Sequence, residues 1–273
     1  MAYAPQPAVD HDRPMKGFRG IIFDVDGVLV ASPHERAWRE SMRDLMATKW
    51  RAVGSYRPEQ FTTAVYQEYI AGKPRLSGAR AALEYFHVPD AERRSLEYAE
   101  QKQRRLEELI EVGEFVAFPD ALRFALALRE RGFRLGAASS SKNANLFLAR
   151  IQLDASAQAA RAAERPFERL FDIFDANVCG HDLPHGKPHP MIFSLAAEEL
   201  ELPPEACVVV EDAAVGIEAA KSAGMAALGV ARLGDEALLT AAGADLVVTT
   251  LDEVALEPLF NGRLTRSSAD RLP

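Results

Sequence analysis

Two carboxylates, Asp24 and Asp26, follow the apolar run Ile21-Ile22-Phe23 and precede Gly27. A short apolar run closed by glycine reads as a buried strand ending in a turn. Side chains at i and i+2 leave a strand on the same side, so both carboxylates address one space. Such a pair at the carboxyl end of a parallel strand suits a hard cation and an anionic ligand in a crevice. One Asp can attack a phosphoryl group while the other moves the proton. Taken alone, the two residues also read as a turn cap.

Three more segments carry groups suited to the same chemistry. The run Phe133–Ala138 ends in Ser139-Ser140-Ser141-Lys142-Asn143, the run near Val178 leads to Gly186-Lys187-Pro188, and Cys207–Val210 ends in Glu211-Asp212. A carboxylate that attacks phosphate meets repulsion between anions, so the site must first be neutralised. Mg²⁺ does this with a few carboxylates while waters and substrate oxygens fill its other positions. Asp24, Asp212 and Glu211 are the expected carboxylate ligands, with the backbone carbonyl of Asp26. Ser139 can donate its hydroxyl to a phosphate oxygen, and Lys187 can place a fixed positive charge beside it. Singly, Lys187 reads more often as a solvated charge than a phosphate ligand, Glu211-Asp212 also as a helix cap and Ser139–Ser141 also as a polar turn. Two other phosphate motifs fail. Gly180–Lys187 is one residue too long for a P-loop and is followed by Pro188 instead of Ser or Thr, and no GxGxxG follows an expected strand.

These groups meet only if a parallel sheet brings the strand ends together. From Phe118 onward the period alternates between helix and strand. Helices are expected over 119–131, 143–153, 190–200, 215–223 and 236–242, and strands over 133–138, 175–179, 207–210, 226–230 and 245–248. Alternating units of this kind imply a doubly wound, Rossmann-like α/β core with helices on both faces. Between Pro33 and Val112 the pattern is helical throughout. Phe61, Val65 and Tyr69 recur every four residues, and Leu96, Ala99, Leu106 and Ile110 form a second stripe, as a small bundle requires. The expected division is an α/β core of residues 17–32 and 116–260, a helical cap of residues 33–115 inserted after the first strand, and flexible tails at 1–16 and 261–273. Residues 154–167 are Ala-rich and receive no function.

Composition narrows the partners. The chain has 273 residues, 48% hydrophobic and 26% charged, and a net charge of −8. That balance is globular and argues against non-specific nucleic-acid or membrane binding. Met1–Lys16 has no apolar core and reads as neither signal peptide nor anchor. Cys179 and Cys207 are too few for a disulfide framework and lack metal-ligand spacing, which fits a reducing, cytoplasmic setting.

In order and spacing, these segments resemble the four motifs of the haloacid dehalogenase superfamily of phosphotransferases: Phe23–Val28 the first, Ser139 the second, Gly186-Lys187-Pro188 the third and Glu211-Asp212 the fourth. The resemblance spans about Phe18 to Leu259 and implies an aspartyl-phosphate at Asp24, proton transfer by Asp26 and a Mg²⁺ cofactor. A helical cap between the first two motifs resembles subfamily I. Within it the chain is similar to the beta-phosphoglucomutase group, which implies substrate-binding roles for further residues. His34 would contact the acid/base Asp26, and Arg75 in Gly72-Lys73-Pro74-Arg75 would grip a second phosphate. Ser141, Lys142 and Asn143 would meet that phosphate too, as would Lys102. Ala31 and Ala213 depart from the group's Asp and Ser. The resemblance implies a small sugar phosphate as substrate and a monomer or weak homodimer. A phosphatase of the same fold and a non-catalytic sugar-phosphate binding protein are the alternatives.

Overall fold

Six strands of the computed structural model form one parallel sheet: β1 (Gly20–Phe23), β4 (Arg134–Ala137), β5 (Ala176–Asn177), β6 (Cys207–Glu211), β7 (Ala226–Val230) and β8 (Leu246–Val248). Their order is β5-β4-β1-β6-β7-β8. The structure describes residues 17–53, 56–71, 73–153 and 168–267. The expected N-terminal tail, Gly72 of the cap loop, the Ala-rich stretch and residues 268–273 lie outside them.

β1 sits in the middle, with Phe23 level with Ala137 on one side and Val210 on the other. The run Cys207–Glu211 is buried at every position, as a parallel strand covered on both faces must be. Alternation along β1 divides the apolar interior between those faces. Ile21 and Phe23 pack with Phe124 and Leu128 of α5 (Pro119–Glu130). Ile22 packs with Phe193 of α7 (Met191–Glu199) and Ile217 of α8 (Ala214–Ser222). Two further helices, α6 (Ala144–Arg150) and α9 (Glu236–Ala241), complete the expected alternation. The strands at the sheet's edges are shorter than the apolar runs suggest, because fewer neighbours pair with them.

Among the described residues, four α-helices lie between β1 and α5 in the chain: α1 (His34–Ala47), α2 (Thr63–Tyr69), α3 (Arg75–Tyr85) and α4 (Ala91–Glu111). Trp38, Met42, Trp50, Phe61, Leu83 and Tyr98 form their shared core. The Tyr98 ring meets Trp38 edge-on at 4.9 Å, and its hydroxyl donates to the Trp38 carbonyl at 2.9 Å. Two expectations change here. The buried face of α4 runs through Tyr98, Ala99, Lys102, Leu106 and Leu109, while Leu96 stays 59% exposed. Residues 58–70 are not one helix: a 3₁₀ turn at Pro58–Gln60 stops at buried Phe61, and the Thr62 hydroxyl then caps α2 by accepting from Val65 N–H.

The two connections to this helical segment are tied together. β2 (Val30–Ala31) pairs antiparallel with β3 (Val116–Ala117), and Phe118 N–H donates to the Leu29 carbonyl at 2.9 Å. The polar segment after 260, expected to fray, is also paired as far as 267. Ala255 N–H donates to the Thr265 carbonyl, Ser267 N–H to the Glu253 carbonyl, and the Arg266 guanidinium to the Val247 carbonyl. Polarity alone concealed this, because the partners are backbone carbonyls. Among the described residues no helix is long and apolar enough to cross a membrane.

Candidate active site

Asp24 and Asp26 leave β1 where the backbone turns at Gly27, which adopts φ +87°. A Cβ at Gly27 would stand 1.8 Å from Oδ2 of Asp212. Glycine therefore serves twice: it permits the left-handed turn and admits the Asp212 carboxylate against it. Asp212 arrives from the end of β6, next to β1, so sheet register brings the first and fourth segments together.

Lys187 ties Asp24 to Glu211. Its ammonium donates to Oδ1 of Asp24 at 2.6 Å and to Oε1 of Glu211. Asp24 is 6% exposed and Glu211 1%. Burial drives the Asp24 carboxyl up to about 7 although Lys187 pulls it down, with Glu211 and Asp26 adding to the rise. Burial together with Glu211 and Asp24 also raises Asp212 well above the usual carboxylate range. Lys187 is raised too, but against its burial: the two carboxylates on it outweigh that burial and hold it firmly protonated. Among the described residues, buried Asp24 and Glu211 thus share one ammonium, with the half-buried Asp212 carboxylate beside them.

That imbalance is what a divalent cation would correct. Among the described residues no three acidic, His or Cys side chains form a closed metal cage. Mg²⁺ does not require one, since one or two carboxylates suffice when waters and phosphate oxygens complete its shell. Asp24 and Asp212 fit that requirement. Glu211, expected as a further ligand, is turned inward. Its Oε2 accepts from the N–H groups of Asp212 and Ala213 at 2.8 and 2.9 Å, and its Oε1 is occupied by Lys187. Gly216 makes this posture possible, since a Cβ there would lie 1.9 Å from Oε1 of Glu211. Ordinarily Gly→Ala inside a helix stabilises. Here we expect Gly216→Ala to destabilise by about 1–3 kcal/mol through overpacking. Calorimetry would then show a Tm several degrees lower, and an unchanged or higher Tm would contradict this reading.

Ser139 is buried at the end of β4, and its Oγ accepts from Ser141 N–H at 3.2 Å, leaving the hydroxyl proton to donate. The other expected contacts are distributed unevenly. Ser141 Oγ accepts from Asn143 N–H. The Asn143 amide is engaged with Gln103 of α4, at 2.9 Å from Gln103 Nε2 to Asn143 Oδ1, joining core to helical segment. Lys142 is exposed and paired with Asp182 at 2.6 Å. Lys102 is buried behind His34, with its Nζ 2.8 Å from His34 Nδ1 and 5.2 Å from the Trp38 ring centre. Burial, helped by Lys102 and opposed by Asp26, lowers His34 to about 4, so the imidazole is neutral. On the other side of the ring, His34 Nε2 lies 3.6 Å from Asp26 Oδ1. That gap is too long for a hydrogen bond, and both atoms are buried without a partner. Arg75 is exposed at the start of α3, within electrostatic reach of Lys102.

Sequence reading missed Gln103, Gly216 and Tyr66. Burial raises the Tyr66 phenol, and the carboxylates of Asp26, Glu35 and Asp212 push it further, which sets this α2 side chain beside the paired carboxylates. A Tyr at helical spacing looks like core, and only the docking of α2 onto α1, through Thr63 Oγ1 to Glu35 at 3.0 Å, turns it to the site.

The sequence matches the haloacid dehalogenase-like hydrolase family over residues 18–224. It is 31% identical to the beta-phosphoglucomutase of Bacillus subtilis (strain 168), covering 88% of this chain and 93% of that protein. It is 29% identical to the phosphorylated carbohydrates phosphatase of Thermotoga maritima, over 75% and 81% of the two chains. The fold is similar to the crystal structure of an archaeal beta-phosphoglucomutase from Pyrococcus sp. Strain ST 04. That alignment has a TM-score of 0.67 at 30% identity and covers 89% of this chain and 97% of that one. With its parallel sheet, its strand-end carboxylates and a match running from the first strand into the helix after β6, the chain belongs to the haloacid dehalogenase-like hydrolase family.

Proposed function

We propose that the protein is a Mg²⁺-dependent phosphotransferase acting on a small sugar phosphate, and that it interconverts such phosphates in the manner of a beta-phosphoglucomutase. The observation that carries this reading is a second cationic locus on the helical segment. Arg75 has no ion-pair partner among the described residues, and it lies near Lys102, which touches His34, which faces Asp26. A mutase must hold one phosphate at the reacting carboxylate and another farther away. Residues 17–32 and 116–260 would act as the catalytic core and 33–115 as the cap.

In this reading Asp24 Oδ attacks phosphorus and the sugar oxygen leaves with a proton from Asp26, giving an aspartyl-phosphate. Asp26 then takes the proton from the next attacking hydroxyl, which breaks the acyl phosphate and restores Asp24. The neutral His34, its Nε2 on the side of Asp26, would orient that carboxyl on closer approach. Ser139 and Lys187 bind phosphoryl oxygens. Mg²⁺, when held by Asp24 and Asp212, supplies charge neutralisation at the phosphate. Buried free thiols at Cys179 and Cys207 support a cytoplasmic, reducing location. A phosphatase is the second reading, favoured by the relation to the Thermotoga enzyme.

Two measurements test the scheme, and the second separates the two readings. Activity should disappear in excess chelator, return with Mg²⁺, and fall by about 10²–10³-fold in Asp212→Ala, the scale of losing one electrostatic stabiliser. Full turnover in chelator would sink the metal-dependent scheme. Interconversion of glucose 1- and 6-phosphates with an activating bisphosphate should exceed phosphate release in the wild type. Arg75→Ala should cut interconversion by at least about tenfold, the loss of one charged anchor, while hydrolysis of a small aryl phosphate changes little. Steady phosphate release without interconversion would establish the phosphatase instead.

A further inference from the structure

Arg232, just beyond β7, lies in none of the four motif segments, yet its guanidinium touches the turn that follows Asp26. Its Nε donates to the Gly27 carbonyl at 3.0 Å and one terminal nitrogen to the Val28 carbonyl at 3.1 Å. The other terminal nitrogen donates to Asp120 Oδ2 at 3.2 Å. The flat face of the guanidinium stacks on Phe118, 3.7 Å from the ring centre. Only 14% of the Arg232 side chain is exposed. Asp120, in the first turn of α5, also accepts from Leu251 N–H at 2.8 Å and Thr250 Oγ1 at 3.0 Å, so it is a fixed anchor.

One planar cation therefore joins three pieces. These are the Gly27-Val28 turn against which Asp212 packs, the returning linker at Phe118, and the start of α5. We propose that Arg232 is a positioning residue that holds the Gly27-Val28 turn, and through Phe118 the paired linkers of the helical segment, in the register that phosphoryl transfer requires. The inference rests on the phosphotransferase reading above for its consequence in turnover, but not for the contact itself. Lysine cannot replace the arginine, because a single ammonium cannot serve two carbonyls and a carboxylate in one plane while stacking on a ring.

The test compares wild type, Arg232→Lys and Arg123→Lys. Arg123 also ties α5 to the segment near 252, through Asp252, but on the exposed surface. Hydrogen exchange followed by mass spectrometry reads the backbone amides of residues 25–30 and 116–118, alongside kcat and KM on the best phosphate ester. In Arg232→Lys these amides should exchange at least about tenfold faster. Over the same comparison kcat should drop by at least tenfold, KM should stay within about threefold, and Tm should fall by only a few degrees. Arg123→Lys should alter neither readout. Unchanged exchange at 25–30 in Arg232→Lys would overturn the inference, and so would faster exchange with full kcat. A wild type inert towards every phosphate ester would overturn the phosphotransferase reading and with it the catalytic part of this proposal, while the exchange data still decide whether Arg232 holds the turn.

Discussion

Asp24→Asn is expected to abolish turnover, by roughly 10⁴-fold or more, in a protein that remains folded. Losses of that size follow removal of a nucleophile whose partners act as a unit. The amide keeps the carboxylate's volume, and its oxygen can still accept from the Lys187 ammonium, now 2.6 Å from Asp24 Oδ1. What it lacks is nucleophilicity. Stability should not suffer. A carboxyl whose value rises to about 7 on folding, chiefly through burial, favours the folded state most at low pH and withdraws that contribution as pH rises towards 7. A neutral amide carries no such penalty. At pH 8 in chelator the variant's Tm should equal or exceed that of the wild type. A folded Asp24→Asn protein with near wild-type rates would remove the covalent mechanism.

Lys187→Met should damage both activity and stability. Asp24 and Glu211 would remain buried without the only ammonium that contacts them among the described residues. Breaking a buried ion pair from one side costs about 3–5 kcal/mol, because a charge is stranded. The Asp24 carboxyl would then rise further above its unfolded value. The sign follows: the deficit is smallest at acidic pH, where Asp24 is protonated in either state, and grows as pH rises through neutrality. Thermal melts in chelator should show the gap to wild type widening between pH 5 and pH 8. Turnover should fall by at least about 10²-fold, since a preorganised charge at the phosphate is lost. A gap that narrows over that range would show that Lys187 does not neutralise the two carboxylates.

How much of this was legible in the chain depends on the distance over which each signal acts. Cys207–Val210 reads as a buried strand because both sheet faces demand apolar residues. Asp24, Asp26, Glu211 and Asp212 follow because parallel strands end on one side. Lys187 could be assigned only by its family position, since nothing local distinguishes it from a solvated charge. The stripe on α4 was misjudged at Leu96 because three- and four-residue spacings fit two adjacent faces, and the aromatic partner at Trp38 decides between them. Gln103 with Asn143, and Arg232 with Gly27 and Asp120, join residues 40 and more positions apart. No pattern of period two or 3.6 reports such pairs. Glycine's meaning was hidden for the same reason: Gly216 sits in a helix and matters only because Glu211 folds back over it.

The pairing of Val30-Ala31 with Val116-Ala117 has a consequence for ancestry as well as for motion. Adjacent antiparallel strands lie about 5 Å apart, close enough for a tight turn to bridge them. The whole stretch between them thus leaves and rejoins the core at two neighbouring points, and closing so long a loop adds only a logarithmic entropy cost. A lineage can lengthen, replace or delete that stretch without disturbing the strand order β5-β4-β1-β6-β7-β8. In the proposed reading, choice of metabolite can therefore drift while the carboxylates stay where the sheet puts them.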